Sequence, residues 1–148
     1  MVERGPKLRL RVTLSDTGPL VAIINSNDPE HARCTAALPL LRKPLLTTEA
    51  CLTETLHLVF RGTGRQGQEA LWRLISNGTL RVLASASDGP LRARAYMERF
   101  RDQPCDYADA TLLIAAEATG IRRVFTIDRH FHAYRLTNGD ALEVVPQS

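Results

Sequence analysis

Apolar and polar positions follow two rhythms along this chain. "LRLRVTL" alternates apolar and basic residues and then runs apolar, a period of two that predicts a strand at about 8–14. Ser15, Asp16 and Thr17 then supply cap residues ahead of "GPLVAIINS", a short helix. Asp28-Pro29-Glu30 reads as a second helix start, with a capping Asp and Pro at the first helical position, and that helix is expected to reach about Pro39. "PLLTT" is a short buried strand, after which Thr47 or Thr48 caps a helix through "EACLTETLHLVF" that Gly62 and Gly64 end. "QEALWRLIS" is an amphipathic helix stopped by Asn77-Gly78. "TLRVLAS" reads as a strand and "GPLRARAYMERFRD" as a charged, largely exposed helix. After Asp106 comes "ADATLLIAAEAT", a helix closed by Gly120. "RRVFTI" is a strand ending at Asp128, and "ALEVVP" a last, edge strand.

Strands thus alternate with helices, and several are continuous apolar runs. That pattern predicts an α/β fold, a mostly parallel central sheet with helices on both faces. Ligands of such sheets bind beyond the carboxyl ends of the strands. No internal repeat, low-complexity tract or linker interrupts the 148 residues, so a single domain over 1–148 is expected.

Composition changes this picture little. Hydrophobic and charged contents of 44% and 24% are ordinary for a globular chain, and a formal charge of +3 excludes an overwhelming basic field. The basic residues are lopsided, with 17 Arg against 2 Lys. That favours a phosphate-bearing partner, although an arginine-rich genome produces the same bias. Cys34, Cys51 and Cys105 are widely spaced with no CxxC, which argues against a zinc site or a disulfide framework and fits a reducing cytosol. The N-terminus has no apolar signal region and no uncharged run approaches membrane-spanning length, so a soluble, cytoplasmic protein without membrane contact is expected.

The acids carry the chemistry. Asp16 follows the first strand and Asp128 follows "RRVFTI", so parallel strands would present both at one rim. Asp109 sits in the first turn of the helix that precedes "RRVFTI" and returns to the same rim. Glu54 lies about two turns into the helix after "PLLTT" and leans over it. Four carboxylates brought together repel one another, and a divalent cation removes that conflict. With no His or Cys in the set, oxygen ligands suit Mg²⁺ or Mn²⁺ better than zinc or copper. A hard cation in an open carboxylate site activates water and stabilises an in-line phosphoryl displacement, which points to phosphodiester hydrolysis.

"SDTGPLVAIINSNDPEHARC", "TTEACLTETLHLV", "DYADATLLIAAEATG" and "VFTIDRHF" resemble the successive signatures of PIN-domain nucleases, in order and at plausible spacing. The chain is most similar to the VapC-type toxins of prokaryotic toxin–antitoxin pairs, over a core of about 10–146. The resemblance implies a PIN-like fold and an Mg²⁺- or Mn²⁺-dependent endoribonuclease that hydrolyses RNA. It also implies a cognate antitoxin that holds the enzyme inactive, and a homodimer. Carried onto this sequence, it makes Asp16, Glu54, Asp109 and Asp128 the catalytic acids and metal ligands, with Asp16 and Asp109 the firmest. The hydroxyl of Thr126 or Thr17 is expected to orient a carboxylate or water, and Asp106 to be either a helix cap or an outer ligand. The chain departs from the family at its start, where residues 1–9 form a basic extension ahead of the first acid.

Blander readings stand beside these. Asp16 could simply cap its helix. Glu49 rivals Glu54, but five residues of helix turn by about 140°, so the two cannot share a face, and Glu49 suits the helix dipole. Asp128 could pair with Arg129. His31 and the His130-x-His132 pair are read as packing or surface rather than ligands, and Trp72 as core or subunit interface. Arginines over residues 92–101 alternate with acids, the pattern of a solvated face. The alternative function is a non-catalytic RNA-binding or scaffold PIN domain. The sequence singles out no substrate-binding residue and no RNA target.

Overall fold

The computed structural model describes residues 12–147. The basic extension 1–9 and the first half of the expected opening strand lie outside the described residues. Five strands form one sheet: β1 (Val12–Ser15), β2 (Arg42–Thr48), β3 (Leu80–Leu83), β4 (Arg123–Phe125) and β5 (Glu143–Val145). Their order is β3-β2-β1-β4-β5 and every pairing is parallel. "Mostly parallel" therefore becomes wholly parallel, with β5 at an edge as expected. All five strands point their carboxyl ends at one rim.

Six helices connect them: α1 (Thr17–Ile24), α2 (His31–Ala37), α3 (Glu49–Thr63), α4 (Arg65–Ser76), α5 (Gly89–Arg99) and α6 (Tyr107–Thr119). The apolar runs of the strands are explained by burial on both sides. Adjacent residues Leu45 and Leu46 of β2, and Val124 and Phe125 of β4, point into opposite cores. One core joins the sheet to α5 and α6, the other to α1, α2 and α4. In α3 the buried residues Cys51, Thr55 and Val59 recur every four positions, a single stripe on one face. Seven of the thirteen residues of α6 are buried, because it lies between the sheet and α5.

Four local expectations change. The second helix begins at His31 with Glu30 as its N-cap, not at Asp28. Asp28 instead accepts the Glu30 amide at 2.8 Å, closing a turn two residues on that holds the chain out of the helix. Helix α2 also ends at Ala37, continuing as a 3-10 turn over Leu38–Leu40. Gly62 lies inside α3, and Gly64 alone ends it, at φ 68°, a region open to glycine. Trp72 is not core, being 45% exposed on α4. Asp106 is the N-cap of α6 and shares a reciprocal capping box with Asp109. None of the helices is long and apolar enough to cross a membrane among the described residues.

Candidate active site

The site is built where strands stop. Asp16 extends β1 by one residue, its amide donating to the Phe125 carbonyl at 2.9 Å. Its carboxylate then turns to cap α1, with Oδ1 accepting the Thr17 amide at 2.8 Å. Oδ2 accepts the Thr126 hydroxyl at 2.8 Å. Asp16 therefore caps α1 and at the same time stands in the pocket wall. Burial pushes its pKa up to about 6, against the Thr126 and Thr17 hydrogen bonds that lower it, and the charges of Asp128 and Glu54 add to the rise.

Asp109 enters from the first turn of α6 and is also buried. Its Oδ2 accepts the Asp106 amide at 3.1 Å, while its own amide donates to Asp106 Oδ1 at 2.8 Å. Burial raises its pKa well above the carboxylate range, with further push from Asp16, Asp106 and Asp128. These mutual repulsions are the electrostatic signature of acids brought close together.

Thr126, just past β4, ties two acids to one another. Its hydroxyl donates to Asp16 and accepts the Asp128 amide at 3.0 Å. Thr17 acts differently from expectation: its amide holds Asp16, while its hydroxyl faces the Cys51 carbonyl at 3.4 Å. The physical reason is the cap, which aims the amide at the carboxylate and turns the side chain toward α3. Asp128 does not pair with Arg129. Its Oδ1 accepts the His130 amide at 2.9 Å and lies 2.7 Å from His130 Nδ1.

All four acids line one open pocket of about 760 Å³, together with Asp106 and Asp28. Glu54 is in this wall and Glu49 is not, which follows from the helical rotation between them. Asp106 is the helix cap and also a pocket residue. Asp28 and His130 join the site without having been expected there. Asp28 carries only a helix-start signal in the sequence, whereas the spacing Asp128-x-His130 is a turn signal that links that histidine to the acid.

Does this pocket fit a metal ion? Six carboxylates line it and, among the described residues, no Lys or Arg does, so its charge calls for a cation. Every carboxylate donor is hard oxygen. Burial pushes the Cys105 thiol, also on the wall, up to about 11, so it stays protonated and is a poor soft ligand. Among the described residues, no three acid, histidine or cysteine side chains stand close enough to enclose an ion as they are. Each bonded oxygen of Asp16 and Asp109 accepts one hydrogen bond and keeps a lone pair for a cation. The donor chemistry fits a hard divalent cation, and the hydrogen bonds already present would orient the ligating carboxylates.

Comparison with known proteins agrees with this geometry. The PIN domain family model matches residues 13–136. Ribonuclease VapC26 of Mycobacterium tuberculosis is 25% identical over 132 residues, 88% of this chain and 98% of that protein. The crystal structure of Mycobacterium tuberculosis VapC20, described as a sarcin–ricin loop cleaving toxin, superposes with a TM-score of 0.75 at 21% identity, covering 82% of this chain and 93% of the other. A toxin–antitoxin complex from Klebsiella pneumoniae gives a TM-score of 0.59 at 18% identity, covering 78% and 86%. At such identities the two structural likenesses speak for the fold. The family match carries more, because it runs from Thr13 in β1 through Leu136 and takes in every acid of the pocket, and on it this chain belongs to the PIN domain family.

Proposed function

We propose that this chain is an endoribonuclease of the VapC kind, the toxin of a toxin–antitoxin pair, working with Mg²⁺ or Mn²⁺. The observation that carries the reading is the six-carboxylate pocket at the carboxyl rim of the sheet, with no Lys or Arg in its lining among the described residues. Asp16, Glu54, Asp109 and Asp128 would hold one or two ions there, with Asp106 as an outer ligand. A divalent cation at such a site activates water and offsets the charge that develops on a phosphodiester in flight. Thr126 keeps Asp16 and Asp128 in register through one hydroxyl, and the capping box fixes Asp109 at the mouth of α6. The residues 10–146 would form a single PIN domain, acting as a homodimer and restrained by a cognate antitoxin. The named relatives, a ribonuclease and two toxin structures, support the RNA substrate and the antitoxin partner.

A second reading, a non-catalytic RNA-binding PIN domain, draws support from the lack of three acids already drawn together among the described residues. One experiment separates the two. Purified protein should cut RNA with Mg²⁺ or Mn²⁺ and stop in EDTA, and Asp16→Asn or Asp109→Asn should abolish cutting while circular dichroism stays unchanged. Cutting by both variants at the parent's rate, or activity that survives EDTA, would sink the metal-dependent nuclease.

A further inference from the structure

An acid pocket is a poor landing place for a polyanion. Among the described residues its six carboxylates are joined by no Lys or Arg, so positive charge that positions RNA phosphates is to be sought beside it. Several arginines are already committed to partners within the chain. Arg92 pairs with Glu117 at 2.9 Å, and Arg99 donates to the Leu136 carbonyl at 3.3 Å while lying over the Phe100 ring. Arg122 and Arg123 pair with Asp140 and Glu143, and Arg135 binds the carbonyls of His132 and Tyr134.

Arg33 and Arg129 differ. Both line a second groove of about 280 Å³, which shares Ile127 and Asp128 with the acid pocket as a common wall. Arg129 is exposed, and no side-chain hydrogen bond or ion pair engages it among the described residues. Arg33 pairs with Glu30 at 3.4 Å and donates to the Pro146 carbonyl at 3.3 Å, two long contacts that anchor its guanidinium and leave donors over. His132 stands on the same wall, and Val144 and Pro146 make it partly apolar. The groove carries Arg33 and Arg129 beside Glu30 and Asp128 and adjoins the carboxylate pocket across Ile127 and Asp128, so a phosphodiester chain crossing Asp128 would reach both guanidiniums.

We propose that this groove binds a backbone phosphate of RNA next to the one cut over the acid pocket, with Arg129 as its principal cation and Arg33 as an anchored second. The proposal rests on the endoribonuclease reading for its ligand. It is tested by fluorescence anisotropy of labelled RNA, with Asp109→Asn in the background to keep the RNA intact. In that background Arg129→Ala should weaken binding about three- to tenfold and lower the salt dependence by about one phosphate contact. Arg129→Glu should weaken it further, and Arg129→Lys should restore most of the affinity. With Asp109 present, Arg129→Ala should raise KM and leave kcat unchanged, as loss of uniform binding does. Arg94→Ala, on the exposed face of α5, is the control and should change neither quantity.

Unchanged affinity and salt slope in Arg129→Glu would overturn the proposal, and so would an equal loss in Arg94→Ala, which would reduce the effect to net charge. The two readings fail separately. If the parent leaves RNA uncut with Mg²⁺ or Mn²⁺ yet binds it through Arg129, the groove stands and the hydrolase falls. If it cuts RNA with a KM indifferent to Arg129→Glu, the hydrolase stands and the groove falls.

Discussion

Asp109 and Glu117 lie eight residues apart on α6 and live under opposite electrostatics. Around Glu117 the protein supplies every partner a carboxylate can use. Arg92 pairs with Oε2 at 2.9 Å, and the Thr137 hydroxyl and amide reach Oε1 at 2.7 and 3.2 Å, where the Tyr96 hydroxyl also binds. Burial would raise its pKa, but the Thr137 and Arg92 bonds outweigh that and hold it below the usual range. Asp109 receives one backbone amide and faces Asp16, Asp106 and Asp128 instead of a cation, so its pKa is raised. The first carboxylate is complete within the chain and ties α5 and α6 to the segment before β5. The second is left short of positive charge, which is what an external cation can supply.

The sharpest way to break this comparison is to neutralise each acid. Asp109→Asn should abolish RNA cleavage, a loss of at least about a hundredfold if the carboxylate holds a catalytic ion. It should not lower the melting temperature of the metal-free protein. Glu117→Gln should do the reverse, costing about 1–2 kcal/mol by calorimetry or denaturant titration while cleavage by the folded fraction persists. A loss of stability in the first variant and none in the second would mean that the roles are assigned the wrong way round.

A smaller contrast is expected in pH dependence. Asp16 has a folded pKa of about 6 against an ordinary value of 3.8. A raised folded pKa means that the residue's contribution to metal-free stability is complete below pH 4 and is lost as pH rises through about 6. The gap in stability between Asp16→Asn and the parent should therefore widen from pH 4 to 7, by on the order of 3 kcal/mol. Glu117 has a lowered folded pKa, so its contribution is present above the ordinary value of 4.5 and is lost as pH falls through the folded one. Metal-free melting curves of Asp16→Asn and Glu117→Gln, each referred to the parent, should thus slope in opposite senses with pH.

The smallest effect concerns the two glutamates of α3. Glu49 is exposed and off the pocket, so Glu49→Ala should alter stability by less than about 0.5 kcal/mol and leave cleavage intact. Glu54→Ala should impair cleavage and weaken the divalent-cation dependence. Equal consequences from both would dissolve the distinction between them.

Much of this architecture is legible in local pattern. The period-two and apolar runs mark all five strands, Gly64 and Gly120 mark helix ends, and the four acids stand out because each follows a strand or lies on a helix that opens at the rim. Helical rotation says that Glu54 and Glu49 cannot share a face, and the dipole preference of Glu49 favours Glu54 for the rim. Asp28 shows where local reading stops. Its sequence neighbourhood, Asp28-Pro29-Glu30, promises a helix cap, and it closes a turn whose position on the pocket wall depends on α2 packing beside the sheet. His130 reads as a surface residue in the sequence, yet it holds Asp128, because the 3-10 turn Arg129–His132 folds its ring back onto the acid.

By itself, then, the sequence determined the alternation of strands and helices, the parallel sense of the sheet and the acids at its strand ends, since these follow from the period of burial and from chain direction. Only the tertiary structure decided the order β3-β2-β1-β4-β5, the hydroxyl bridge from Thr126 to Asp16 across 110 residues, and which arginines remain uncommitted. Hydrophobic periodicity states which face of an element is buried and carries no information about which element buries it. Hydrogen bonds and charge pairs between distant segments exist only once that choice has been made.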